Sequence, residues 1–97
     1  MELRIAQSAL EDLQAIQEHY FEEGVPHIGD EYVTAILEHA EMLVCHPDAG
    51  RIVPEFGLNH IRELIHSPFR VVYLRQEADV VLIRAWRSER QLELPDS

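Results

Sequence analysis

The 97-residue sequence contains no lysine, a single cysteine and no long apolar run. Each absence excludes something. With Cys45 alone, neither an internal disulfide nor a cysteine-only zinc site can form, and a reducing compartment, the cytoplasm, is the one that fits. The longest apolar runs are a few residues, far short of the roughly 20 that cross a bilayer. Glu2 stands at the start with no apolar stretch behind it, which is unlike a secretory signal. No glycine-rich phosphate loop, no Gly-x-Ser-x-Gly elbow and no His-Glu-x-x-His pair occurs. No cofactor or metal is implied.

What is present is charge of an unusual kind. All eight basic residues are arginine, and eighteen acids bring the net charge to −10. The two halves differ. Residues 1–50 hold one Arg against eleven acids, and residues 51–97 hold seven of each. Nonspecific nucleic-acid binding is driven by cationic surface, so the chain as a whole is expected to repel phosphate. Neither direct sequence-specific nucleic-acid binding nor a membrane partner is expected. A local arginine cluster remains able to act, because bidentate guanidinium contacts do not require a basic protein.

With 46% hydrophobic and 27% charged residues, the composition is that of one globular domain, 1–97, of marginal size for a core. Alternation over 2–6 predicts a short strand with Leu3 and Ile5 inward. Ser8 and Glu11 form a capping-box pattern, and Ala9, Leu13, Ile16 and Tyr20 follow at helical spacing up to Gly24. Pro26 suits the first turn of a second helix, whose apolar stripe Val33, Ile36, Leu37, Ala40, Leu43 and Val44 runs toward Pro47. Breakers make 47–59 a loop. The period then changes to two. Strands are predicted over 60–66, 69–75 and 80–87, joined by Ser67-Pro68 and by 76–79, with a short polar tail from Ser88. The order β-α-α-β-β-β gives an α+β domain: an antiparallel sheet with a helical hairpin on one face and the other face open and partly apolar. On the last strand Val80, Leu82, Arg84 and Trp86 are expected to share one face.

The arginines are the candidate functional residues. Arg62, Arg70, Arg75, Arg84, Arg87 and Arg90 lie on the meander or just after it, where neighbouring strands bring side chains together. They serve either as structural partners of nearby acids or as a surface that grips carboxylate or phosphate. Trp86 beside Arg87, with Tyr73 nearby, has the composition of a protein-interface hot spot. The six histidines are expected at the surface, and Cys45 carries no local activating pattern.

An ordered set of short pieces then stands out: Ala9, Asp12-Leu13, Ile16 and Tyr20; Gly50-Arg51 after Pro47; Pro54-Glu55; Ile61-Arg62-Glu63-Leu64; Phe69-Arg70-Val71-Val72-Tyr73; and the run Val80 to Arg87, then Arg90. Together, over about residues 3–92, they resemble the RelE/ParE toxin superfamily, whose fold agrees with the element order above. The resemblance implies the toxin of a bacterial toxin–antitoxin pair. RelE-like members cut mRNA on the ribosome with several Lys and Arg residues and a late Tyr or His. In that branch Arg70, with Arg62, Arg87 or Arg90, would be catalytic. Here the preceding strand lacks the lysines, and Leu92 and Leu94 stand where a late reactive side chain falls. The chain looks closer to the ParE-like branch, which implies a non-enzymatic poison of DNA gyrase. It also implies a ParD-like antitoxin encoded nearby, whose flexible segment meets Arg62, Arg70, Tyr73, Arg75, Arg84, Trp86, Arg87 and Arg90. A RelE-like endoribonuclease and an inactive antitoxin-binding relative are the alternatives.

Overall fold

In a computed structural model, which describes residues 1–87, the chain runs through β1 (Glu2–Ile5), α1 (Gln7–Glu22), α2 (Pro26–Glu41), β2 (Arg51–Ile52), β3 (Ile61–His66), β4 (Phe69–Arg75) and β5 (Asp79–Arg87). Arg90 and the expected polar tail lie outside the described residues. The five strands form one sheet in the order β1-β5-β4-β3-β2. β3, β4 and β5 are the antiparallel meander read from the sequence. Two features go beyond it. β1 pairs with β5 in parallel, Glu2 opposite Asp79 through Ile5 opposite Leu82, so the sheet is mixed and not purely antiparallel. The breaker-rich loop also contains β2, two residues held by Glu63 and Arg62.

The helical hairpin is built by local chemistry at its centre. Gly24 adopts φ +83°. Val25 N–H donates to the Tyr20 carbonyl at 2.9 Å, and Gly24 N–H donates to that of Phe21 at 3.0 Å. This is a glycine-terminated C-cap that satisfies the last helical carbonyls. Pro26 then opens α2, where its missing N–H costs nothing. At the other end the capping-box expectation is corrected. α1 starts two residues earlier than a Ser8 cap would set it, with Ala6 at the cap position and no side-chain cap. Ser8 Oγ instead donates to the carbonyl of Ile83 on β5 at 2.6 Å.

The core lies between the hairpin and one face of the sheet. Leu13, Ile36 and Leu43 meet Phe69, Val71, Tyr73 and Leu82, all buried. Leu3 packs against this cluster, whereas Ile5, expected inward, is 40% exposed at the edge strand. The face expectation for β5 is corrected as well. Val72 lies opposite Arg84 while Tyr73 lies opposite Leu82, so Ile83 is an extra residue forming a bulge. A bulge shifts the alternation by one. Val80 and Leu82 therefore point into the core, but beyond Ile83 it is Ala85 that is buried there. Arg84 and Trp86 fall on the opposite, outer face.

Candidate functional site

Cross-strand register lays out the outer face in rows. Arg51, Glu63, Val72 and Arg84 form one row across β2, β3, β4 and β5, and Ile65, Arg70 and Trp86 form the next. The face is not simply open, because Glu63, Arg70 and Val72 are buried on it. Glu63, with no exposed side-chain surface, is the hub. Arg70 Nε donates to its Oε1 at 2.6 Å, and Arg51 Nε donates to its Oε2 at 2.6 Å. A second carboxylate, Glu55 from the loop after β2, receives both terminal nitrogens of Arg70 at 3.3 and 3.4 Å. Burial alone would lower the Arg70 pKa, but the hydrogen bonds and charges of Glu63 and Glu55 raise it overall. Arg70 is thus a fully charged, internally neutralised group.

Arg62 and Arg75 hold the loop that precedes β2. Arg62 donates to the carbonyls of Asn59 and Gly50, each at 2.9 Å, and Arg75 Nε donates to Asp48 Oδ1 at 2.9 Å. Tyr73 closes the same loop from inside. Its hydroxyl accepts from Gly50 N–H at 3.0 Å and donates to the Pro47 carbonyl at 2.7 Å. Tyr73 is fully buried, which pushes its phenol pKa up, and it presents no surface to a partner. The signal for this cage was in the sequence as Gly50-Arg51. Glycine lets the backbone cross the tyrosine, and the next residue delivers its guanidinium to Glu63.

Arg84, Trp86 and Arg87 come together elsewhere, beside the part of β5 that β1 does not reach. There α1 takes over the edge. Asp12 Oδ2 accepts from the Ala85 N–H at 2.9 Å and from Arg84 Nε at 2.7 Å. The hydrogen bond from Arg84 to Asp12 raises the arginine's pKa. The Arg84 guanidinium lies 4.8 Å from the Trp86 ring centre, a cation–π distance. Arg87 donates to the Tyr20 hydroxyl at 3.0 Å and lies 5.7 Å from the ring of Phe69. Between α1 and this stretch runs a cleft of about 350 Å³ whose walls include Ile16, His19 and Phe69. Among the described residues, the Trp86 indole N–H is buried without an acceptor. The cleft therefore combines an apolar floor, cations at its rim and one unanswered donor, a composition suited to a peptide segment.

The histidines hold one surprise. His39 on α2 and His66 on β3, expected at the surface, are part-buried and face each other with 3.0 Å between their Nδ1 atoms. Burial, then the neighbouring His39, lowers the pKa of His66. Among the described residues no group of three or more His, Cys, Asp or Glu is placed to hold a metal ion, and no helix is long and apolar enough to cross a membrane.

Comparison with known proteins agrees with this architecture. A family model described as ParE toxin of type II toxin-antitoxin system, parDE, matches residues 3–92. Among solved structures, a chain of the chromosomal ParDE TA system from P. aeruginosa is similar at 26% identity with a TM-score of 0.75, over 90% of this chain and 95% of that one. No curated protein matches the chain.

Proposed function

Because the chain belongs to the ParE toxin family of type II toxin–antitoxin systems, we propose that it arrests growth by poisoning DNA gyrase and is neutralised by a ParD-like antitoxin. The observation that carries the choice of a protein target over RNA is the state of Arg70. It is the residue that matches a phosphate-stabilising arginine in the RelE-like branch. Glu63 at 2.6 Å and Glu55 at 3.3 Å already surround it with negative charge. A scissile phosphate brought there would meet two carboxylates, which is the reverse of transition-state stabilisation. The net charge of −10 opposes an rRNA-lined cleft in the same sense.

The partner surface is narrower than the set of arginines on the meander. Arg62, Arg70 and Arg75 hold the loop and the buried ion cluster, away from the cleft, whereas Arg84, paired with Asp12, and Arg87, bonded to Tyr20, stand in its wall. The surface we assign to the antitoxin is the cleft of Arg84, Trp86 and Arg87 against α1, where an apolar anchor would fill the floor and a backbone or side-chain acceptor would meet the indole N–H. Regulated expression in bacteria, with and without the neighbouring antitoxin frame, tests this reading. The expected result is growth arrest with DNA breaks, filamentation and an induced damage response, all relieved by the antitoxin. Arrest through halted translation with intact DNA would overturn it, and healthy cells would identify an inactive relative.

A further inference from the structure

β1 is an edge of the sheet, and its outer side is unprotected. Glu2 N–H donates to the Ala78 carbonyl at 3.2 Å and Ala6 N–H to that of Leu82 at 2.9 Å, both toward β5. Residues two apart along a strand share a direction. The backbone groups of Leu3 and Ile5 therefore point the other way, where no strand among the described residues meets them. Sheets blunt such an edge with lysine, proline, a bulge or shortness. The opposite edge, β2, is two residues long. β1 has four residues, pairs with β5 in an unbroken register and contains neither lysine nor proline. Apolar surface borders it. Met1 and Ile5 on the strand's own line, Leu10 one turn into α1, and Met42 on the 3-10 turn Met42–Val44 that packs against β1 are all exposed.

The sequence along this edge is complementary to itself. Read antiparallel about Leu3, the segment Met1-Glu2-Leu3-Arg4-Ile5 sets Met1 against Ile5, Glu2 against Arg4 and Leu3 against Leu3. The backbone suits the same register. Leu3 meets Leu3, and Ile5 meets Met1, as hydrogen-bonded pairs, while Glu2 and Arg4 form the closer pair whose side chains interact most. The adjacent registers that keep the hydrogen bonds set Arg4 against Arg4 or Glu2 against Glu2, and like charges directly opposite are destabilising. Arg4 reaches Asp79 at 3.2 Å, but its side chain is 65% exposed, and a guanidinium has donors enough for a second carboxylate. We infer that β1 is a self-association edge: a second copy of this chain pairs with it antiparallel about Leu3. The pairing joins two five-stranded sheets into one, with both helical hairpins on the same face, and its two-fold axis makes every contact twice. The interface is small, so the dimer is expected to be weak. The inference concerns β1 alone and stands apart from the gyrase reading.

The test is sedimentation equilibrium of the untagged full chain from about 1 μM to about 1 mM, where a concentration-dependent dimer is expected. Glu2→Arg sets arginine against arginine across the axis, and Arg4→Glu sets glutamate against glutamate. Each alone should weaken self-association about tenfold. Mixed in equal amounts, the two variants present opposite charges at both pairs and should associate with each other about as well as the parent does with itself. Ile5→Pro removes an outward N–H without touching the ladder to β5, so it should lose the dimer independently of charge. Thermal melts establish that each variant is folded. A dimer that survives Ile5→Pro, or charge variants that associate as well alone as when mixed, would overturn the inference. So would a parent chain that stays monomeric over the whole range, which would leave the edge to a strand of another protein.

Discussion

Gly50 lies so close to Tyr73 that a Cβ on it would stand 2.7 Å from the ring and from the hydroxyl oxygen, and also 2.7 Å from the Glu63 carbonyl. None of these groups can retreat cheaply, because the ring is buried in the core and the carbonyl belongs to the sheet. Gly50→Ala is therefore expected to destabilise the chain by about 1–3 kcal/mol through overpacking. Tyr73→Phe should cost a similar ~1–3 kcal/mol, since it leaves the Gly50 N–H and the Pro47 carbonyl without their shared partner. Urea denaturation of the two variants and of the double variant measures both. Because they act on one contact, the double variant should lose less than the sum.

Asp12 substitutes for the strand that β1 fails to supply. Asp12→Ala leaves the part-buried Ala85 N–H unsatisfied and releases Arg84, so a loss of about 1–3 kcal/mol is expected. Asp12→Asn retains an acceptor for the N–H and should recover part of it. Amide hydrogen exchange at Ala85 is the direct readout: strong acceleration in the alanine variant and a smaller change in the asparagine variant.

Arg70 separates a structural from a chemical role. Removing Glu63 alone, as in Glu63→Gln, strips the buried guanidinium of its main partner and should cost about 3–5 kcal/mol. Replacing both, as Arg70→Met with Glu63→Leu, removes the buried charges together and is expected to fold nearly as well as the parent. In a toxin that works by gripping protein through another surface, the double variant keeps its toxicity when expressed to the same soluble level. In a nuclease that used Arg70, the double variant would be inert however well it folded.

The sheet's main arc could be read directly from sequence because it is local. Period-two runs joined by Ser67-Pro68 and by the 76–79 turn have only one economical arrangement, and Gly24 and Pro26 mark the hairpin between the helices. What could not be read is long-range. Pairing of β1 with β5 joins residues nearly eighty positions apart. The two residues of β2 are too few to show a period. The bulge at Ile83 changes which face Arg84 and Trp86 occupy without any glycine to announce it. Ser8 looks like a cap because its chemistry suits one, yet the carbonyl of Ile83 takes its hydroxyl. The same limit applies to the arginines: their number and placement were visible, but Glu63, Glu55, Asp48 and Asp12 as their partners were not, and those partners decide which guanidinium groups remain for other molecules.

Acid should loosen the molecule in two stages. His66 has its pKa lowered from the ordinary 6.5 by burial and by His39. Below about that pH the unfolded chain binds the proton more readily than the folded one, so stability falls as pH drops toward the depressed value and is unaffected above it. Protonating both rings sets two donors face to face across 3.0 Å. Glu55, lowered from 4.5 chiefly by the Arg70 hydrogen bond, adds a second loss at lower pH. Thermal melts from pH 8 to 3 should decline first in the histidine window and again below about pH 4.5. His66→Gln should remove that first decline and leave the second, and ring NMR titration should place the His66 midpoint below that of a free imidazole.

The most direct measurement combines the purified chain with DNA gyrase in a supercoiling assay and, in parallel, with a purified translation system programmed with a defined mRNA. Inhibited supercoiling with accumulated cleaved DNA, intact message and reversal by the antitoxin is the expected outcome. Cleavage of the message in the ribosomal A site, lost in the Arg70→Met and Glu63→Leu double variant, would contradict the account.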